Sequence, residues 1–223
     1  MAIGPVHYRY NIDLQDNIIE LTDSFKILDV TLDERITFKP YIEEQLKKAC
    51  AKAAALRKLC KFIPQDVMIR LYKAYVLPYV EYCSPLLLGI SNGLKNKLED
   101  TNYYILMTIL RYPSSVFYDF LLKLAELQNL ETRRQFQSLV VLYNCLKAQR
   151  PEYLSQFFNV LNVKYNLRGG STHLVPPSFN LKYMHKSWSY LSTKLWNGLP
   201  TRVRECPDLA AFRRSLLSFT ARH

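Results

Sequence analysis

The sequence predicts a mainly α fold with a small β portion, an α+β arrangement, and three observations carry that expectation. Period-two alternation is confined to the first forty or so residues, apart from one short stretch near residue 180. From Pro40 onward, apolar residues recur at three- and four-residue steps. The chain of 223 residues has only six glycines, too few for a turn-dense all-β architecture.

In chain order, Val6, Tyr8, Tyr10 and Ile12 alternate with polar residues and read as a strand. Asp16-Asn17 marks a turn, and Phe25 to Val30 reads as a short buried strand. Such a small sheet packs on the neighbouring helices or is the edge of a larger sheet. The first helix starts at Pro40, a favoured first-turn residue, and buries Ile42, Leu46, Ala49, Ala53, Leu56 and Cys60. Glu43 and Glu44 near its start and Arg57, Lys58 and Lys61 near its end suit the helix dipole. A second helix starts at Pro64 with Val67, Met68, Leu71, Tyr72, Tyr75 and Val76 inward, and Pro78 ends or kinks it. A third runs from Ser91, its N-cap, to Leu110, with Leu94, Leu98, Ile105 and Ile109 as the apolar stripe. Further helices are expected at about 116–126 and 131–148, with a short one after Pro151. Residues 159–186 lose helical period, and the alternation of Phe179, Leu181 and Tyr183 predicts a short irregular hairpin. Helices near 189–197 and from Pro207 to about Phe219 complete the chain.

Hydrophobic residues make up 49%, enough for a packed core. No apolar run approaches the ~20 residues that span a bilayer, so no membrane association is expected. The Met1-Ala-Ile-Gly-Pro-Val start lacks the basic and apolar regions of a signal peptide. Cys50, Cys60, Cys83, Cys145 and Cys206 are odd in number and widely spaced, which suits reduced thiols and an intracellular setting, nuclear or cytoplasmic. Cys50 and Cys60 have no zinc-type spacing and read as core residues rather than metal ligands. The net charge of +11 favours a polyanionic partner. Segment 1–39 is net −3, 40–80 net +5, 81–180 net +3 and 181–223 net +6, so the positive charge sits in two separate places.

No nucleophile elbow, zincin or phosphate-loop motif is present, and His7, His173, His185 and His223 are scattered, so no catalytic residue and no metal site are assigned. On the first helix Lys47, Lys58 and Lys61 fall within about 60° of one another, with Lys48 and Lys52 to one side. That face carries no acidic residue beyond its first turn, whereas a merely solvated face mixes signs. Near the C-terminus Lys186, Lys194, Arg202, Arg204, Arg213 and Arg214 are interleaved with Trp188, Tyr190 and Trp196. Basic and aromatic residues together clamp a phosphate backbone and stack bases. Trp188 and Trp196 are therefore stacking candidates, with burial in the core as the commoner use of tryptophan.

Several phrases occur in a recognisable order. They include Lys26-Ile-Leu-Asp-Val-Thr-Leu-Asp33, Ile36-Thr-Phe-Lys-Pro-Tyr-Ile42, Leu71-Tyr-Lys-Ala-Tyr-Val-Leu-Pro-Tyr-Val-Glu-Tyr-Cys-Ser-Pro85, Pro151-Glu-Tyr-Leu154 and Lys194-Leu-Trp-Asn-Gly-Leu-Pro200. This run resembles the C-terminal third of the reverse transcriptase, an RNA-directed DNA polymerase, of jockey-like LINE-type non-LTR retrotransposons. The blocks at Tyr82-Cys83-Ser84-Pro85 and Leu195-Trp196-Asn197 are its most specific parts. The resemblance implies residual palm strands over 1–38, a thumb-like helical bundle over 39–111 and a helical C-terminal extension over 112–223. It makes Lys47, Lys48, Lys52, Lys58 and Lys61 candidate contacts to a nucleic-acid backbone.

The sequence departs from that pattern at informative places. The aromatic-x-Asp-Asp turn that holds catalytic metal is absent, so the expected cofactor is none, magnesium belonging only to an intact polymerase. Asp29 replaces a usual glycine, Leu86 a usual tryptophan, and Asn102-Tyr-Tyr104 a usually basic stretch. The expectation is a transposon-derived fragment that binds RNA or DNA weakly and without sequence preference. The alternatives are a helical protein-interaction module, self-associating through the N-terminal strand edge, or a remnant without function.

Overall fold

The computed structural model describes residues 12–14, 17–19, 22–161, 172–178 and 182–220. The chain is mainly helical with a small antiparallel β portion. It forms two compact units, residues 1–83 with 90–127, and residues 84–89 with 128–223.

In the first unit β1 (Ile12–Leu14) pairs with β2 (Asn17–Ile19), and β3 (Ser24–Ile27) pairs with β4 (Val30–Asp33). The Val6–Tyr10 alternation and the strand edge expected there lie outside the described residues. The expected buried strand from Phe25 to Val30 is instead a tight hairpin. It reverses at Leu28 and Asp29, whose φ angles of 47° and 64° give the primed turn that matches strand twist. Asp tolerates that left-handed region far better than a bulky residue, which accounts for Asp29 at a position suited to glycine. Only Val30 of this hairpin is buried, while Phe25, Ile27 and Leu28 are exposed.

The described residues of the unit also form α1 (Lys39–Leu59), α2 (Gln65–Tyr75), α3 (Leu77–Glu81), α4 (Asn92–Leu110) and α5 (Tyr118–Leu124). Ahead of α1, the Asp33 carboxylate accepts from Thr37 N at 3.1 Å, Thr37 Oγ1 at 2.9 Å and Phe38 N at 2.8 Å. The bond to Phe38 N satisfies one of the backbone donors that a helix start leaves orphaned. Ile42, Leu46, Ala49, Ala53 and Leu56 form the buried stripe of α1, as their spacing predicts, and Tyr41 joins them. Cys50, by contrast, is exposed to one side of that stripe, and Cys60 is only partly covered, because α1 ends at Leu59, just before it. Tyr75 is also exposed, since α2 breaks at Val76 and α3 restarts with Pro78 in its first turn. Ser91 caps α4 by accepting from Leu94 N. Asn102 of α4 is buried, accepts from the Tyr72 hydroxyl and donates to Tyr118 Oη at 2.7 Å. The Tyr118 hydroxyl in turn donates to Glu99 at 2.9 Å. Tyr103 donates to the carbonyls of Ser114 and Val116, so this stretch braces the unit rather than presenting a basic surface.

The second unit contains a 3-10 helix (Ser84–Gly89), α6 (Leu130–Lys147), α7 (Glu152–Ser155), a second 3-10 helix (Lys182–Lys186), α8 (Trp188–Asn197), α9 (Thr201–Arg204) and α10 (Leu209–Thr220). Its core joins α6, α8 and α10, with Tyr143 stacked on Phe212 at 4.4 Å and Trp196 tilted against Phe212 at 5.8 Å. The first 3-10 helix packs on α6 and α8. Gly89 is required there, because a Cβ would lie 1.9 Å from the Lys186 carbonyl oxygen. Of the irregular hairpin expected at 159–186, the described residues show one antiparallel bridge, joining Val160 to Leu174. Phe179 and Leu181 lie outside the described residues, and Tyr183 belongs to a 3-10 helix rather than a strand.

Candidate nucleic-acid interface

The basic face of α1 is built by helix geometry, since burying one stripe turns the remaining positions to solvent. Lys47, Lys52, Arg57 and Lys58 are exposed. None has a carboxylate within ion-pair distance among the described residues. The side chains between Lys47 and Lys58 on that face are small, with Ala51, Ala54 and Ala55 all exposed. A phosphate backbone therefore meets no bulky obstruction. Lys58 lies eleven positions after Lys47, about 16 Å along the helix axis. That span matches about five steps of 3.4 Å along a nucleic-acid strand.

Two members of the predicted set behave otherwise. Lys48 is already paired, with Glu44 at 2.9 Å and Asp29 at 3.1 Å. These two hydrogen bonds raise the affinity of its ammonium for the proton. Asp29 also pairs with Lys26 at 2.7 Å, and hydrogen bonds from Lys26 and Lys48 hold its carboxyl down at about 2. The hairpin turn thus neutralises one candidate contact, which spacing along α1 alone could not reveal. Lys61 is exposed, but it lies beyond the helix end at Leu59, so the wheel angle assigned to it does not apply. The start of α1 at Lys39 also moves Glu43 and Glu44 into the second turn, where Glu43 pairs with Lys97 at 3.0 Å. Arg57, adjacent to Lys58 and exposed, belongs to the basic surface that sequence reading assigned to lysines.

The C-terminal patch does not form one surface. Trp196 is 2% exposed and its indole donates to the Thr172 carbonyl at 2.8 Å, so it has no face to offer a base. Trp188 is partly buried and meets Phe158 edge-on at 5.5 Å, which removes it as a stacking platform too. Arg204 is 3% exposed. Its Nη2 approaches Thr201 Oγ1 at 3.4 Å, while its Nε and Nη1 have no hydrogen-bond partner among the described residues. Burial lowers the proton affinity of this guanidinium, and burial with the nearby Arg204 charge lowers that of His173. Lys186, Lys194, Arg202, Arg213 and Arg214 remain exposed. The aromatic partner of Lys194 is Tyr190, its ammonium lying 5.5 Å from the ring centroid, and Tyr190 is itself stacked on His185 at 4.8 Å.

The two most specific sequence blocks have structural work. Asn197 accepts from Leu174 N at 2.9 Å and donates to Leu174 O at 2.8 Å, and with Trp196 it ties residues 172–174 to α8. In the first unit the Tyr82 hydroxyl donates to Leu28 O at 2.9 Å, and the Tyr41 hydroxyl donates to Tyr82 O at 3.0 Å. In the second, the Ser84 hydroxyl donates to the Gln137 side chain. Among the described residues no helix is long and apolar enough to cross a membrane, and no group of three or more His, Cys, Asp or Glu could hold a metal ion. Comparison with known protein families, curated proteins and solved structures finds no match to this chain.

Proposed function

We propose that this chain derives from the reverse transcriptase of a LINE-type retrotransposon and binds RNA or DNA without sequence preference, in the nucleus or cytoplasm. The order of its sequence phrases supports the origin. The observation that carries the binding is the set of exposed cations Lys47, Lys52, Arg57 and Lys58 on α1, none within ion-pair distance of a carboxylate among the described residues. Each phosphate neutralised releases condensed counterions, so binding of this kind weakens steeply with salt. The residues hold nucleic acid but include no aromatic-x-Asp-Asp turn to extend it, and magnesium has no part in this activity.

Fluorescence anisotropy with an RNA–DNA hybrid, titrated over a range of salt, tests this reading. Substituting Lys47 and Lys58 by alanine together lowers the slope of log K against log salt by about 2. Lys48→Ala leaves that slope nearly unchanged, because Lys48 is held by Glu44 and Asp29. Salt-independent binding, or a slope indifferent to the double substitution, refutes it.

A second reading has its own observation. Phe25, Ile27 and Leu28 expose 51%, 47% and 82% of their surface on one two-stranded hairpin, a surface suited to a protein partner. Charged substitutions at Phe25 and Ile27 then abolish concentration-dependent association in light scattering. A chain that stays monomeric at every concentration contradicts self-association.

A further inference from the structure

Among the described residues the most exposed large apolar side chains are Phe62 at 83%, and Leu28 and Phe117 at 82% each. Leu28 belongs to the hairpin surface already described. Phe117 has Asp119 two positions on and no basic residue within five positions. Phe62 differs, because Arg57, Lys58 and Lys61 all precede it within five positions. All three are exposed, and none is within ion-pair distance of a carboxylate among the described residues. The acidic residue nearest to Phe62 in sequence, Asp66, is itself paired with Arg70. The turn holds the ring outward. α1 ends at Leu59, whose carbonyl accepts from Phe62 N at 2.9 Å, and α2 follows Pro64. Ile63, between them, is partly buried, so the turn is pinned on both sides of Phe62. Among the described residues no other aromatic ring pairs with Phe62.

We infer that Phe62 is a stacking platform for an unpaired base, and that the α1 surface therefore selects single-stranded nucleic acid. The inference rests on the nucleic-acid reading of α1 and names its substrate class. Cations contact any phosphate backbone, whereas a phenyl ring needs the free face of a base. In a continuous duplex both faces of each base are already stacked, so only a single strand offers one to Phe62. The chain itself sets the distance between ring and charge. Phe62 follows Lys61 directly and Lys58 by four positions, a span of at most about 14 Å even if fully extended. A base on the ring and phosphates on Lys58 and Lys61 thus belong to one short stretch of strand. A lipid surface suits the site less well, because a membrane-bound helix inserts an apolar face, and the apolar stripe of α1 is buried.

Fluorescence anisotropy of the full chain tests this with three ligands: a single-stranded DNA oligonucleotide, the same strand without bases, and a closed dumbbell duplex that has no free ends. Co-sedimentation with phosphatidylserine vesicles serves as a comparison. The single strand is expected to bind at least about fivefold tighter than the abasic strand, and tighter than the dumbbell. Phe62→Ala removes that advantage and Phe62→Trp keeps it. Neither changes binding of the abasic strand or the slope of log K against log salt. The ring is exposed, and unchanged thermal melting establishes that the variants fold. Charge alone favours the duplex, whose phosphates are denser. A preference for the dumbbell, or an abasic strand bound as tightly as the single strand, therefore overturns the inference. So does single-strand binding indifferent to Phe62→Ala, or vesicle binding that alone depends on Phe62. In each of these cases, salt-dependent binding that still responds to substitution of Lys47 and Lys58 leaves the α1 reading standing. Absence of salt-dependent binding to every oligonucleotide ends both.

Discussion

At the scale of single residues, the most specific letters of the sequence are structural. Asn197 mimics a neighbouring strand by bonding both backbone groups of Leu174. Asn197→Ala leaves those groups short of partners and is expected to cost about 1–3 kcal/mol, read as a lowered urea midpoint. Asn197→Asp keeps the acceptor and loses the donor, so it should fall between. Gly89 faces a harder limit, since the Lys186 carbonyl oxygen occupies the space a methyl would need. Gly89→Ala is expected to destabilise by more than about 2 kcal/mol, because backbone must shift, and chemical denaturation measures it. Neither contact could be read from the chain, because each joins residues far apart in sequence. A tryptophan beside an asparagine signals importance without saying whether a base or a backbone is the partner. Here the partner is backbone for both.

At the scale of elements, helix periodicity is legible in the sequence and strand context is not. The α1 stripe and the Ser91 cap stand where spacing predicts them, because one buried face at 3.6 residues per turn leaves a strong imprint. The β3–β4 hairpin reads in the sequence as one buried strand, because a short apolar run does not reveal a turn formed by Leu28 and Asp29. Asp33 links that hairpin to α1. Burial pushes its carboxyl up, and hydrogen bonds from Thr37 and Phe38 outweigh this and hold it below the ordinary value. A depressed pKa adds stability that is complete above about 4 and is lost as pH falls through the lowered value. Asp33→Asn should therefore cost about 1 kcal/mol at neutral pH, because an amide nitrogen replaces one of the two accepting oxygens, and should melt with a shallower dependence on acid than the parent. Equal acid dependence in the two proteins would remove this role for Asp33.

At the scale of the whole molecule, the chain leaves its first unit at Ser84, contributes one 3-10 helix to the second, and returns at Ile90. A piece comprising 128–223 alone therefore lacks the helix that packs on α6 and α8. Amide hydrogen exchange in α6 should be faster in that piece than in the full chain, and equal protection would mean the crossover adds nothing. The sequence by itself determined the helical class, the basic character of α1 and the absence of a catalytic motif. Each derives from local periodicity or from residue identity. The tertiary structure alone decided which cations are available, since Lys48 is neutralised from a hairpin and Arg204 is buried in the second unit. It also decided that Trp188 and Trp196 are packed rather than free. Charge and aromaticity are properties of a residue, but their availability depends on neighbours brought close only by folding.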